Sequence, residues 1–509
     1  MTSSDTPQTP KIAFDQFPWL YRVTVLLLFV AAAALRLYDL SDPPLDFHPT
    51  RQLYSALKAR GMYYATLGTA VDWQRELAVT QWKAQGLIEP PIMERISASL
   101  YSLLGQEALW VPRLLASLCW LLGGVALLQL TRRVAGTNGA VFALAFYLFT
   151  PYLVFASRAF QPDPLMVALM IAALYALLRW ERQPSWRWAA AAGLLAGLAI
   201  FAKTVVIFPL AAAFISVPLV KLGWRGAVRN RQVWLMAFLA LLPYMAFYIY
   251  GLWVTGELQS QFSLRFFPQL WLTPGFWLQA NANISRVVGF EFFLAALLGV
   301  GMLTRKADRA LLLALWAGYL VYALVLPYHI ASHDYYQLPL VPIVALGLAV
   351  FAQQMAGRLQ GAPRLKAAAL LAVLLVFVAI QGWTARAELK REDYRQQPAF
   401  WQQISGLFPR TASLIAITPD YGYRLEYWGW RSVSNWMSAA DFALRQLAGQ
   451  TVDLEDWFRQ EVAGKEYFLI TEMDELARQP EIEQLLQQNY PVWKSGPGYI
   501  IYDLRVSAP

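Results

Sequence analysis

About eleven stretches of this chain are apolar over lengths close to the roughly 20 residues an α-helix needs to cross a hydrocarbon core. They cover residues 19–37, 109–130, 139–156, 162–180, 188–203, 204–221, 233–253, 287–304, 309–327, 337–355 and 366–384. Alternate connections between them are basic. They carry Arg132 and Arg133; Arg179, Arg182 and Arg187; Lys221, Arg225, Arg229 and Arg231; Arg305, Lys306 and Arg309; and Arg358, Arg364 and Lys366. Such loops face the cytoplasm by the positive-inside rule, as does an N-terminus holding Lys11 and Arg22. An odd number of spans then places residues 385–509 outside. The pattern predicts a membrane all-α bundle, multi-pass in an inner or plasma membrane, with a C-terminal domain in the periplasm or the exterior.

Composition agrees with a membrane protein: 58% of residues are hydrophobic and 15% charged, and 21 Trp with 25 Tyr can furnish aromatic belts at two interfaces. The net charge of +9 is spread one short loop at a time. A nucleic-acid binder would gather it on one soluble face, so nucleic acid is excluded as a partner. The single cysteine, Cys119, lies inside the second span, which rules out an intrachain disulfide and marks it as a small packing residue. Residues 23–34 resemble a secretory signal, but the apolar run continues to Leu37, as expected of an uncleaved anchor.

Three external regions differ from the short basic loops. In residues 38–108, Leu53, Leu57, Met62, Tyr63 and Tyr64, then Trp73, Leu77 and Trp82, recur at helical spacing among charges. Interfacial amphipathic helices fit this pattern, and so does packing on the bundle. Residues 254–286 are rich in Phe, Trp and Gln. In the tail, 413–418, 466–471 and 499–504 read as strands, and 441–447 and 482–488 as helices, which predicts a small α/β domain of about 120 residues.

Reactive side chains collect just outside the spans. Asp39, Asp42 and Asp46 follow the first, with Pro43 and Pro44 stiffening the approach to Asp46, and His48 and Arg51 come next. Asp163 stands between Pro162 and Pro164, with Arg158 before it. A third cluster, His329, His333, Asp334, Tyr335 and Tyr336, precedes the tenth span. Carboxylates beside prolines are also ordinary helix caps, the reading favoured for Asp42 and equally open for Asp163.

The order of these features resembles the GT-C glycosyltransferases related to dolichyl-phosphate-mannose protein mannosyltransferases and lipid A aminoarabinose transferases. An Asp in the first external loop (Asp46) is followed by Glu89-Pro90-Pro91 and by Arg113-Leu114-Leu115. Next come Ser157-Arg158-Ala159-Phe160-Gln161-Pro162-Asp163, then Lys203 at a span end, and later His333-Asp334-Tyr335-Tyr336-Gln337-Leu338-Pro339. The resemblance spans residues 19–380. In place of the Asp-Glu pair of eukaryotic protein mannosyltransferases, Asp46 is followed by Phe47 and His48. The acceptor is therefore open among lipid, glycan and protein.

This resemblance implies a membrane bundle that transfers a sugar from a polyprenyl-phosphate donor, with inversion, and with Asp46 and Asp163 as its catalytic carboxylates. Phosphate is a good leaving group that needs charge stabilisation more than protonation, so one base and a few cations suffice. Asp46 is the expected base, and Arg51, Arg158 and Lys203 are the expected phosphate ligands. Lys203 breaks the positive-inside pattern; snorkelling to the headgroups is its alternative use. His48 and His333 would bind sugar or phosphate, or join Asp46 in a divalent-metal site, although no tight ligand spacing is visible. Tyr335 and Tyr336 would stack on a sugar or belong to the aromatic belt. A transporter would place charges and broken helices at mid-membrane within paired repeats, a pattern the sequence lacks.

Overall fold

The computed structural model describes residues 13–256, 258, 266–450 and 453–506. Lys11 and residues 257 and 259–265 of the aromatic-rich second region lie outside them. The chain forms two compact units: residues 1–40, 87–90 and 113–392 make the first, and residues 41–86, 91–112 and 393–509 the second.

Among the described residues of the first unit, eight helices are long and apolar enough to cross a membrane, or up to ten if each of two bent pairs counts as one span. All eleven expected stretches fall on helices, but three are not full straight spans. Thr137–Phe149 and Pro151–Arg158 meet at 62°. Thr150, pushed to an extended ψ of 126° by the following proline, is the cause. Pro274–Val288 and Phe290–Gly301 meet at 90°, broken at Gly289 with φ 78°. The expected span 287–304 is thereby reduced to a 12-residue helix, about 18 Å long against a core of about 30 Å. Trp186–Ala202, at 17 residues, is also short. It packs tightly all the same: Gly193 and Gly197 let the Arg231–Ile249 helix approach until a Cβ on Gly197 would sit 2.2 Å from the Leu239 carbonyl.

The basic loops gather at one end of this unit. Arg305 bridges Glu181 (2.5 Å) and Asp308 (2.8 Å), Lys221 donates to the Glu181 carbonyl, and Arg182 donates to the Arg133 carbonyl at 3.2 Å. Helix Asp163–Arg182 runs from that end, with Arg179 and Arg182 in its last turn, to Asp163 in its first, an arrangement its dipole favours at both termini. Twenty residues separate the two ends by about 30 Å.

In the second unit, helix Pro49–Thr66 is buried from Gln52 to Tyr63, packed by Asp72–Ala84, Ile92–Leu104 and Tyr423–Gly429. It is a core helix rather than an interfacial one. Exposed apolar residues lie on the Ile92–Leu104 helix, with Ile96, Leu104 and Leu103, the last 82% exposed, and at the start of Asp72–Ala84, with Val71 and Trp73. Arg60 anchors the core: it ion-pairs with Glu107 at 2.8 Å, donates to the Tyr427 carbonyl, and lies 3.7 and 4.2 Å from the ring centres of Tyr427 and Trp430.

The tail folds as the predicted α/β domain. Strands β1 (Leu414–Ile417), β2 (Ser434–Asn435), β3 (Tyr467–Ile470), β4 (Val492–Gly496) and β5 (Tyr499–Asp503) form one sheet in the order β2-β1-β3-β5-β4. The first three are parallel, and β5 is antiparallel to β3 and β4. Ile415, Ile417, Phe468 and Ile470 bury one face against Trp436, Phe458 and Ile482. The expected helices appear as Ala439–Leu447 and Pro480–Asn489. Strands β2 and β4 lacked a readable signal: β2 is two residues long, and β4 is an exposed edge with an irregular register at Val492/Lys494.

Candidate functional site

Asp163 and Lys203 form a bidentate ion pair, Nζ to both carboxylate oxygens at 2.9 Å, with side chains 2% and 3% exposed. Local structure puts them there. Asp163 opens its helix ahead of Pro164, and Lys203 ends helix Trp186–Ala202 in an extended conformation that turns its stem out of the helical row. Nζ also lies 4.6 and 5.0 Å from the ring centres of Tyr335 and Tyr336, whose negative faces favour a cation.

These tyrosines belong to a short 3₁₀ turn, Asp334–Gln337, placed by neighbouring polar groups. Tyr322 donates to the Tyr336 carbonyl at 2.9 Å, Tyr319 donates to Gln337, and Gln337 donates to the Ile330 carbonyl at 3.2 Å. His333 stacks with His329 (5.7 Å) and meets Tyr335 edge-on (5.6 Å), while its Nδ1 shares a 2.7 Å hydrogen bond with Ser332. Asp334 accepts from Tyr152 (2.7 Å) and pairs with Arg286 (3.2 Å), which is 60% exposed. Neither Tyr152 nor Arg286 was anticipated; Arg286, a lone cation at a span end opposite the basic loops, was the available signal.

Arg158 is buried and donates to the Asp39 carbonyl at 3.1 Å. Arg36, also unanticipated, is 1% exposed and donates to the carbonyls of Ala32 and Leu148. It is an arginine within the first apolar run, the same break of pattern that singled out Lys203.

Asp46, His48 and Arg51 lie in the second unit. Asp46 and His48 are half-buried. His48 caps helix Pro49–Thr66 in the left-handed region (φ 44°, ψ 63°), a conformation that costs a non-glycine residue about 1 kcal/mol or more. Gln52 holds the turn by donating to the carbonyls of Pro44 (3.1 Å) and Phe47 (2.6 Å). Arg51 lies 5.5 Å from the ring centre of Tyr54. Thr50 donates to Asp420 at 2.8 Å, and Asp420 pairs with Arg424 at 2.6 Å. Asp42, expected as a helix cap, instead accepts from the Tyr394 amide at 3.0 Å.

The structure thus joins Asp163, Lys203, His333, Tyr335 and Tyr336 in one network, and places Asp46, His48 and Arg51 on one turn of the other unit. Among the described residues no group of three or more His, Cys, Asp or Glu is disposed to hold a metal ion. The expected set of Asp46, His48 and His333 is divided between the units.

A multi-pass helical unit with a small mixed α/β domain is the arrangement of the GT-C fold. The chain is similar to ArnT from Cupriavidus metallidurans, both in its apo state (16% identity, TM-score 0.58, covering 94% of this chain and 98% of that one) and bound to undecaprenyl phosphate (14%, 0.60, 98% and 100%). It is also similar to the Archaeoglobus fulgidus oligosaccharyltransferase in complex with Zn and sulfate (13%, 0.54, 94% and 73%). Residues 89–250 match the sequence model of the dolichyl-phosphate-mannose-protein mannosyltransferase family. That segment contains Arg158, Asp163 and Lys203 but neither Asp46 nor His333. No curated protein matches the chain by sequence. The resemblance carried by the order of the motifs is borne out at the level of fold.

Proposed function

We propose that the protein is an integral membrane glycosyltransferase that moves a sugar from a polyprenyl-phosphate donor to an acceptor hydroxyl, with inversion. The observation that carries this reading is the buried Asp163–Lys203 pair beneath Tyr335 and Tyr336, at the opposite end of its helix from the basic loops. With the basic loops cytoplasmic, the end that holds the pair faces the exterior or the periplasm. The undecaprenyl phosphate bound to ArnT supports a polyprenyl-phosphate donor here.

An ammonium has three N–H donors. Asp163 engages Lys203 through both oxygens, which fixes the ammonium and leaves donor capacity for a phosphate oxygen. In a dry site such a preset cation stabilises the charge that develops on the departing phosphate. Arg158 adds a second buried cation in the same unit. Asp163 acts as a positioning residue for Lys203. Asp46 takes the proton from the acceptor hydroxyl as its oxygen bonds to the anomeric carbon; the carbon–oxygen bond to phosphate breaks on the opposite side, and polyprenyl phosphate leaves. His48, Arg51 and His333 contact sugar or phosphate, and Tyr335 and Tyr336 face the sugar.

Incubation of the purified protein with polyprenyl-phosphate sugars of different headgroups tests the proposal by release of free polyprenyl phosphate. Release with one headgroup, absent in Asp46→Asn, is the expected result. No binding and no release with any headgroup would redirect the assignment to a nucleotide-sugar or diphosphate-linked donor.

A further inference from the structure

The α/β domain has a crevice of about 210 Å³ at the carboxyl ends of its parallel strands. From β1 the chain moves to β2 on one side, then returns past β1 to β3 on the other, so the strand order reverses at β1. Right-handed crossovers place the two connections on opposite faces, and the gap they leave at the strand ends is where open α/β sheets bind ligands.

Three features of the crevice go beyond topology. Thr418, the residue after β1, lines it at 5% exposure, and its hydroxyl has no hydrogen-bond partner among the described residues. A buried hydroxyl left unpaired costs about 1–3 kcal/mol, which a ligand hydroxyl would recover. Next, Asp420 and Tyr421 are consecutive non-glycine residues with φ of 56°, a strained turn of the kind retained at functional sites. Finally, Glu472 presents a carboxylate with no side-chain partner among the described residues, beside Glu475, which is already engaged by the Ala439 amide at 2.6 Å and by Gln479 at 2.9 Å. Tyr421, 46% exposed, lends an aromatic face at the rim.

We propose that this crevice binds a saccharide: Thr418 and Glu472 pair with ligand hydroxyls and the Tyr421 ring lies against the sugar face. Neutral hydroxyl-rich chemistry suits the lining. Arg424 and Arg478 neutralise Asp420 and Glu475, the other polar groups include Thr418, Asn435, Ser438 and Glu472, and no lysine or arginine lines the crevice among the described residues. Asp420 also accepts from Thr50, which ties the crevice wall to the turn that carries Asp46. Given the glycosyltransferase reading above, on which this part rests, the ligand is the sugar portion of the acceptor.

Saturation-transfer NMR on the full chain in a sugar-free detergent, with chitobiose, mannobiose and maltose as probes, tests the site without turnover. We expect binding of at least one probe. Thr418→Val should weaken it about three- to tenfold, the worth of one neutral hydrogen bond, and Glu472→Gln, at a partly exposed position that carries little folding risk, by about tenfold or more. Polyprenyl-phosphate binding, measured in parallel, should be unchanged in both variants. Silence with every probe, or probe binding that survives both substitutions, overturns the proposal; in the latter case Thr418→Val merely removes an unpaired group. Loss of probe binding in variants of a protein that cleaves no polyprenyl-phosphate sugar upholds the crevice and overturns only the transfer reaction.

Discussion

The two units hold their reactive charges in opposite ways. In the first, Asp163 and Lys203 are almost wholly buried on regular helix ends, satisfied by each other at 2.9 Å and covered by aromatic rings. In the second, Asp46 and His48 are half-buried on a turn whose backbone is strained at His48 and pinned by Gln52. Cations that stabilise a leaving phosphate gain most from a dry, fixed setting, whereas a base must meet a water-borne acceptor and exchange its proton. On the proposed reaction, the buried pair serves the leaving phosphate and the turn serves the acceptor hydroxyl, and each can be tested separately.

The largest effect should come from the strained turn. Asp46→Asn keeps the shape of the side chain and removes its basicity, so transfer should fall about 10²–10⁴-fold. Thermal unfolding and polyprenyl-phosphate binding should match the wild type, because the residue is half-buried and the amide keeps the size and shape of the carboxylate. Transfer within a fewfold of wild type would end the assignment of Asp46 as base.

Lys203→Ala should act on stability as well as on turnover. Removing one member of a buried pair leaves Asp163 uncompensated, at about 3–5 kcal/mol. The double replacement Asp163→Leu with Lys203→Met leaves no buried charge, and should recover much of the unfolding temperature without recovering donor turnover. Should the double variant transfer sugar normally, the pair is structural and the contrast between the units collapses.

The membrane part of this division was legible because hydropathy and loop charge act over long stretches and average out local exceptions. Lys203 and Arg36 could be noticed as charges at odds with the pattern around them. The breaks at Thr150 and Gly289 depend on one or two residues inside apolar runs, which hydropathy cannot register. The burial of helix Pro49–Thr66 was hidden in part because some of its partners, Tyr427 and Trp430 around Arg60, lie more than 300 residues away in sequence. Strand β2 is too short for any periodicity. Asp163 had been set out as cap or catalyst; its partner Lys203 is 40 residues on, and only the fold reveals that the two charges answer each other.

Glu426 offers a third test, confined to the second unit. It is 8% exposed on helix Tyr423–Gly429, and burial pushes its carboxyl up to about 7 from an ordinary 4.5, against a smaller opposing contribution from the Val433 backbone. The folded state therefore keeps a proton that the unfolded chain releases. Its stabilising contribution is complete below pH 4.5, declines as pH rises toward 7, and is gone above that, a change of about 3 kcal/mol. Hydrogen exchange across residues 423–429 should quicken from pH 5 to 7 relative to Glu426→Gln, while the first-unit helices respond equally in both proteins. A wild type that tracks the Gln variant at every pH would show that Glu426 is charged when folded.

The smallest effect belongs to the rings over Lys203. Tyr336 is half-buried, and its backbone carbonyl, which accepts from Tyr322, survives any side-chain change. Tyr336→Leu removes an aromatic face 5.0 Å from Nζ and should cost about 1 kcal/mol, roughly a fivefold rise in KM for the polyprenyl-phosphate donor. Tyr336→Phe keeps the face and should leave KM unchanged if the ring's quadrupole is what steadies the ammonium. If Phe weakens the donor as much as Leu does, the phenol hydroxyl is the working group. Lys203 would then be held in place by Asp163 and Tyr335 alone, and Tyr336 would move from the cation's setting to the sugar's.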